Sequence, residues 1–356
     1  MYSAQKTNVR PAALKLELSR LLGQSVASMR RISGGRNSQV YRLTCEGAGV
    51  YTAKLYFRHS SEDRDRLEAE FSGLHFLWEN GIRCIPRPIA ANRSGGMAIY
   101  EYISGRKIPS AKITDADIDR SVDFLGKLRQ LSLIENSRSL SMAAEAYFTT
   151  REVVDSVSRR LDRLLTLQNM EAPYRELSAF LKNDFVPSFK EITDWCKDNL
   201  HDTGMSYDTE LPFNERTLSP SDFGFHNALK RPGGDIVFLD FEYFGWDDPA
   251  KMTADFLLHP GMELGETLKQ RFLAGILTHF KDIRFLDKRV GIAYPLFGLK
   301  WCLILLNEFV PEFLMRRGFA VKQTIDKDKL QTAQLVKSRR MLATVMNEYG
   351  HFPYHT

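Results

Sequence analysis

The sequence predicts an α+β chain in two parts, a small β-rich part over 1–104 and a larger, mainly helical part over 105–356. Three observations carry this prediction. β-rich segments broken by glycine-containing turns crowd into 26–57 and 87–103, whereas apolar residues at three- and four-residue spacing dominate after Gly105. A single β interlude over 218–244 then interrupts the helical pattern. The composition suits such a chain: 356 residues, 43% hydrophobic, 11% aromatic and 26% charged, which excludes disordered and collagen-like classes. With 49 Lys+Arg against 44 Asp+Glu, the net charge of +5 is too mild for the dense basic patch of a nucleic-acid binder.

Taken in order, Leu14, Leu18, Leu21 and Leu22 predict a helix over 12–23 that stops at Gly23. Pieces at 28–32, 39–45 and 50–57 predict an antiparallel meander, with turns at 33–37 and 46–49. Ser60 or Ser61 is the expected cap of a helix that carries the stripe Leu67, Phe71, Leu74 and Trp78 and stops at Gly81. Strands over 87–92 and 97–103 complete the β-rich part, and 101–105 joins it to helices over 118–131, 150–167 and 174–200. No repeat or low-complexity segment interrupts this order.

The N-terminal residues are polar, without the apolar core of a signal peptide. The most apolar stretch, around 301–306, is closed by Lys300 and by Asn307-Glu308, short of the roughly 20 apolar residues of a membrane span. Cys45, Cys84, Cys196 and Cys302 stand far apart without a C-x-x-C pair, as expected of thiols in a reducing compartment. A cytoplasmic protein without a membrane partner is the expectation. Its ligand site is expected in a cleft between the two parts.

The chemistry concentrates in the interlude. It reads Ser219-Pro220-Ser221-Asp222-Phe223-Gly224-Phe225-His226-Asn227, a Pro232-Gly233-Gly234-Asp235 turn, then Ile236-Val237-Phe238-Leu239-Asp240-Phe241. The turn folds the strand ending at Asp240 back toward the loop that carries Asp222 and Asn227. An Asp and an Asn offering oxygen ligands suit Mg²⁺, and the remaining carboxylate can accept a hydroxyl proton. An Asp, an Asn five residues later and an apolar strand ending in Asp-Phe follow the order of kinase catalytic and metal-binding loops. Earlier, Lys54 lies in the strand 51–56, either facing solvent or holding ATP phosphates. Its acidic partner is sought on the next helix. With about 100° per residue and Leu67 at zero, Glu70 falls near −60° at the edge of the apolar stripe, and Glu68 near +100° in solvent. Glu70 is therefore the expected partner.

On these motifs the chain resembles the aminoglycoside phosphotransferase and choline kinase family, small-molecule kinases, and the resemblance covers most of the chain. It implies a bilobal protein-kinase-like fold with a small antiparallel-sheet N-lobe and a large, mainly helical C-lobe. It also implies ATP and Mg²⁺ as cofactors and a small-molecule substrate. The run Ser33-Gly34-Gly35-Arg36-Asn37-Ser38 resembles the family's nucleotide loop, which implies that Gly34, Gly35, Asn37 and Ser38 meet phosphate oxygens. Tyr100-Glu101-Tyr102-Ile103-Ser104-Gly105 resembles the hinge, which implies that Glu101 and Tyr102 hold the adenine edge through main-chain groups. Lys54, paired with Glu70, would hold the α/β-phosphates; Asn227 and Asp240 would bind Mg²⁺; Asp222 would serve as the base. Glu70 also matches the family's spacing through Leu74 and Leu77.

The acceptor is expected to be an amino-alcohol, an aminosugar or a sugar-like metabolite. Glu242, Tyr243, Trp246 and Trp301 match late positions of choline and ethanolamine kinases, where the aromatics form either a cage for an ammonium group or plain core. Glu242, Asp247, Asp248 and Asp255 either attract a cationic acceptor or form a solvated loop. Two departures from the family stand out. Pro220-Ser221 replaces the His-containing pair before the catalytic Asp, so Ser219 or Ser221 must brace the loop, and Leu128-Arg129-Gln130-Leu131 replaces a Leu-His pair. The first departure admits a rival class, an inactive nucleotide-binding pseudokinase or scaffold. A protein kinase is disfavoured, because no Ala-Pro-Glu segment follows Asp240. A monomer or homodimer is expected.

Overall fold

The computed structural model describes residues 11–32, 38–47, 49–57, 64–167, 169, 171–314 and 326–354. The chain divides into two compact units. Residues 11–107 and 227–244 belong to the first, and residues 108–226, 245–314 and 326–354 to the second.

The first unit opens with α1 (Pro11–Leu22), followed by β1 (Val26–Ile32), β2 (Ser38–Cys45) and β3 (Val50–Tyr56). Next come α2 (Arg66–Glu79), β4 (Pro88–Asn92) and β5 (Met97–Glu101). The five strands form an antiparallel sheet of order β1-β2-β3-β5-β4. Successive side chains on a strand point to opposite faces, and β3 uses both. Ala53 is buried in the apolar cluster with Leu14, Leu18, Val26, Leu43, Met97 and Ile99. Lys54 therefore faces the other way, as does Tyr56 two residues on, and both bond to a residue of α2. The register places Tyr100 of β5 opposite Thr52, on the Lys54 face.

α2 begins at Arg66 with Asp65 as its cap, the carboxylate accepting from the Glu68 N–H at 3.0 Å. The expected caps, Ser60 and Ser61, lie outside the described residues. A small sheet of order β6-β8-β9 joins Arg106–Lys107 to Ala228–Lys230 and Ile236–Phe238. This pairing carries the first unit to residue 107, beyond the expected boundary at 104, and adds the hairpin that ends in Asp240. The Phe238 N–H also donates to the Cys84 carbonyl at 2.9 Å.

The second unit is mainly helical: α3 (Asp115–Leu131), α4 (Thr150–Leu165), α5 (Ala172–Phe180), α6 (Val186–Asn199), α7 (Pro249–Leu258), α8 (Glu266–His279), α9 (Leu286–Leu305) and α10 (Lys327–Glu348). The single helix expected over 174–200 is two, separated by a π-turn at Leu181–Phe185. Pro187 follows that turn; without an N–H it cannot continue an α-ladder, but it is tolerated in the first turn of α6. Thr114 and Thr149 cap α3 and α4 through reciprocal bonds with Asp117 and Glu152. Two short strands, β7 (Thr217–Ser219) and β10 (Gly245–Asp247), pair antiparallel.

The apolar run that seemed confined to 301–306 extends over Leu286–Phe309, long and apolar enough to cross a membrane by length and composition. In the structure 61% of its most apolar window is buried, packed by α4, α7 and α10. That is the environment of a core helix.

Candidate active site

In the first unit, Lys54 is the centre of a buried charge cluster. Its Nζ donates to Glu70 Oε2 at 2.6 Å and to Asp240 Oδ1 at 2.5 Å, and lies 3.7 Å from Glu242 Oε2. Burial alone would lower its pKa, but Asp240, Glu70 and Glu242 together raise it well above the usual lysine range. Glu70 is fixed further by the Tyr56 hydroxyl at 2.7 Å and the Phe241 N–H at 3.2 Å. The Tyr56 and Tyr100 hydroxyls are 2.7 Å apart. Glu68 is instead spent on Arg93 and Ser72, so the helical-angle selection of Glu70 matches the side chains.

Asp240 has φ +66°, a left-handed conformation that a non-glycine residue adopts at a cost. The preceding Leu239 N–H donates to the Asn227 carbonyl at 2.7 Å, so the hairpin sets Asp240 one residue from the partner of Asn227. Together they offer carboxylate and amide oxygens. Three carboxylates around one ammonium also leave local negative charge to neutralise, so the donor set fits Mg²⁺.

The second unit holds Asp222. It follows Ser221, another non-glycine residue in the left-handed region at φ +65°. The Ser221 N–H donates to Ser219 Oγ at 2.9 Å, and Ser221 Oγ donates to the Ala144 carbonyl at 3.1 Å. Lys251 Nζ reaches Ser221 Oγ at 3.2 Å. These bonds brace the loop where Pro220 cannot. Arg129, at the second departure, is buried and donates to the Arg216 and Asn214 carbonyls at 2.7 and 2.9 Å, anchoring the approach to β7.

Asp222 Oδ1 sits 3.0 Å from His226 Nε2 and 3.3 Å from His259 Nε2, and the two rings stack at 3.7 Å. Burial would raise the Asp222 pKa, but the two imidazole bonds outweigh it and hold the carboxyl well below its ordinary range. One carboxylate and two imidazoles, their ligand atoms within 4.8 Å of one another, resemble a transition-metal site. The tautomer argues otherwise. His259 Nδ1 accepts from the Gly261 N–H at 3.1 Å, so its proton is on Nε2 and points at Asp222, whereas a metal-bound Nε2 needs the proton on Nδ1. The cluster is a hydrogen-bonded brace. His226 and His259 are contacts of Asp222 that the motif did not assign. His226 is discoverable from its four-residue spacing, but nothing in the sequence marks His259.

The remaining sequence-predicted residues fall as follows. Ser38 is buried at the start of β2, and Gly34, Gly35 and Asn37 lie outside the described residues. Glu101 ends β5 and accepts from Arg231 at 3.0 Å; Tyr102 packs under Arg42. Glu242 is buried beside Lys54, and Tyr243 lies against Arg66. Trp246 is 1% exposed, donates to the Ser137 carbonyl and packs on Phe213. It is core, which removes it from any ammonium cage. Trp301 donates to Asp255 at 2.9 Å and meets the His259 ring edge-on. The acids expected to attract a cation are committed internally: Asp247 and Asp255 to Lys251 at 2.7 and 3.1 Å, and Asp248 to Arg289 at 2.6 Å.

An antiparallel-sheet first unit and a mainly helical second one make this a kinase-like fold. Solved structures share that fold. Spectinomycin phosphotransferase in complex with ADP and spectinomycin gives a TM-score of 0.62 at 14% identity, over 91% of this chain and 98% of that one. A choline kinase from Streptococcus pneumoniae gives 0.59 at 16%, over 94% and 98%. Plasmodium vivax ethanolamine kinase gives 0.57 at 14%, over 89% and 83%. At these identities the likeness is one of fold. No curated protein sequence matches the chain. The family model described as "phosphotransferase enzyme family" matches residues 28–286, and the chain belongs to that family.

Proposed function

We propose that this protein transfers the γ-phosphoryl group of ATP to a hydroxyl of a small metabolite. The observation that carries the reading is the buried Lys54, held between Glu70 and Asp240, on a chain whose Asp222 precedes Asn227 by five residues. Lys54 binds the α/β-phosphates and Glu70 orients it. Asn227 and Asp240 would hold Mg²⁺, which when bound would neutralise phosphate charge. Asp222 accepts a hydrogen bond from the acceptor hydroxyl. As the acceptor oxygen bonds to the γ-phosphorus, the bond from phosphorus to the β–γ bridging oxygen breaks, ADP leaves and the hydroxyl proton passes to Asp222.

A carboxylate with so low a pKa is a weak base. Its work is therefore mainly orientation, and the proton moves only once the forming bond has made the hydroxyl acidic. The Ser219–Ser221 brace supports an active loop and weakens the scaffold reading that Pro220 invited. The internal pairing of Asp247, Asp248 and Asp255 weakens the case for an amino-alcohol or aminosugar and leaves sugar-like acceptors. In the test of the metal assignment, Asp240→Ala should abolish Mg²⁺-dependent ATP binding, read by calorimetry with and without Mg²⁺. Unchanged binding would remove Asp240 from the metal site.

A further inference from the structure

The second unit contains a cavity of about 370 Å³, within the usual range for a small-molecule site. One wall is the α4 face carrying Arg159, Arg160 and Arg163; another is apolar, with Leu303, Val310 and Phe313. Arg160 pairs with Glu145 and Arg163 with Glu312 at 2.9 Å. Arg159 has no partner among the described residues. Glu145 also lines the cavity, but its charge is spent: burial works to raise its pKa, and Lys300 at 2.7 Å with Arg160 brings it down to about 2. Among the described residues that line this space, three arginines, Arg159, Arg160 and Arg163, stand against one acid, Glu145. The excess is positive, the opposite of what a cationic acceptor needs.

The cavity is also tied to the loop of Asp222. Gly245 approaches the backbone of 141–143 so closely that a Cβ would lie 2.3 Å from the Ser141 carbonyl oxygen. The Trp246 N–H donates to that carbonyl at 3.0 Å, and the Ala143 N–H donates to the Trp246 carbonyl at 2.8 Å. On the segment so fixed, Ala144 accepts from Ser221 and Glu145 enters the cavity wall. A wall of the cavity and the residue before Asp222 are thus held by one hydrogen bond.

We propose that this cavity binds the acidic group of the acceptor: a hydroxylated small molecule whose carboxylate or phosphate sits on Arg159 and Arg163. The substrate class rests on the phosphotransfer reading; the anion site itself does not. Arginine forks suit both anions, and the apolar wall covers the body of the molecule.

The test measures binding without ATP by calorimetry, using gluconate as the carboxylate probe, glucose 6-phosphate as the phosphate probe, and glucose and ethanolamine as controls. At least one anionic probe should bind more than tenfold better than both controls. The Arg159→Ala/Arg163→Ala variant should weaken that binding about tenfold or more, since charged hydrogen bonds are lost. Arg159 is exposed and Arg163 half-exposed, so the variant should fold, with circular dichroism as the check. Anionic probes that bind no better than glucose or ethanolamine, or equally well to the variant, overturn the proposal. If the anionic probes bind as expected but no hydroxylated compound from any pool is phosphorylated by the wild-type protein with ATP and Mg²⁺, the phosphotransfer reading is what fails, and the anion site stands.

Discussion

His259 works on Asp222 from a distance of 37 residues in sequence and one hydrogen bond in space. It is a positioning residue: its Nε2–H points the carboxylate, and its Nδ1 is fixed by Gly261. A hydrogen bond to a charged group is worth about 1.5–3 kcal/mol, so His259→Ala should lower kcat roughly tenfold to a hundredfold while leaving KM for ATP unchanged. His259→Gln, which restores an N–H donor, should recover part of the loss. A purely structural role would move both constants or neither. The same imidazole sets a pH dependence. Burial lowers its pKa below the ordinary value, about 6.5 in an unfolded chain, so the unfolded chain takes up a proton that the native one refuses. Its contribution to stability is complete above that pH and is lost as pH falls through it toward the lowered value. Asp222, whose pKa is depressed, loses its contribution only below the unfolded carboxylate range. Thermal melts of wild type minus His259→Gln should therefore diverge below about pH 6.5; parallel curves would contradict this. Lys54, Glu70 and Asp240 were legible as residues because strand alternation and helical angle restrict which side chains can meet. His259 was not, since its place depends on tertiary packing.

At the scale of elements, the loop carrying Asp240 is held against α2 by shape. A Cβ at Gly73 would lie 2.4 Å from a ring carbon of Phe244, and Arg64 donates to the Phe244 carbonyl at 3.0 Å. Alanine normally favours a helix interior over glycine by up to about 1 kcal/mol, but overpacking costs about 1–3 kcal/mol. Gly73→Ala should therefore destabilise the protein by up to about 2 kcal/mol in chemical denaturation. A gain in stability would mean that the Phe244 ring yields freely. The sheet and most helices were readable from apolar period and from glycine stops. Two features escaped. β6 is two residues long and has no pattern of its own until β8 pairs with it, and the π-turn follows from the local effect of Pro187 on an otherwise regular apolar stripe.

For the whole molecule, the expected kinase-like fold holds, with an antiparallel-sheet first unit and a mainly helical second one, and the family membership gives its chemistry a class. The hairpin bearing Asn227 and Asp240 counts with the first unit although it comes late in the chain, a long-range pairing that composition along the sequence could not disclose. The net charge of +5 proves uninformative as a total; what distinguishes the chain is where cations concentrate, at Lys54 among carboxylates and at Arg159, Arg160 and Arg163 along one cavity wall. The central claim is phosphoryl transfer from ATP to a small acceptor whose hydroxyl Asp222 orients. It is tested most directly by incubating wild type and Asp222→Asn with γ-labelled ATP, Mg²⁺ and pooled hydroxylated metabolites, and following label into small molecules. The account predicts labelled product from wild type and roughly 10²–10⁴-fold less from Asp222→Asn, with ATP still bound by both. Equal labelling by the two proteins, or ATP binding by wild type with no labelled product from any pool, would contradict it.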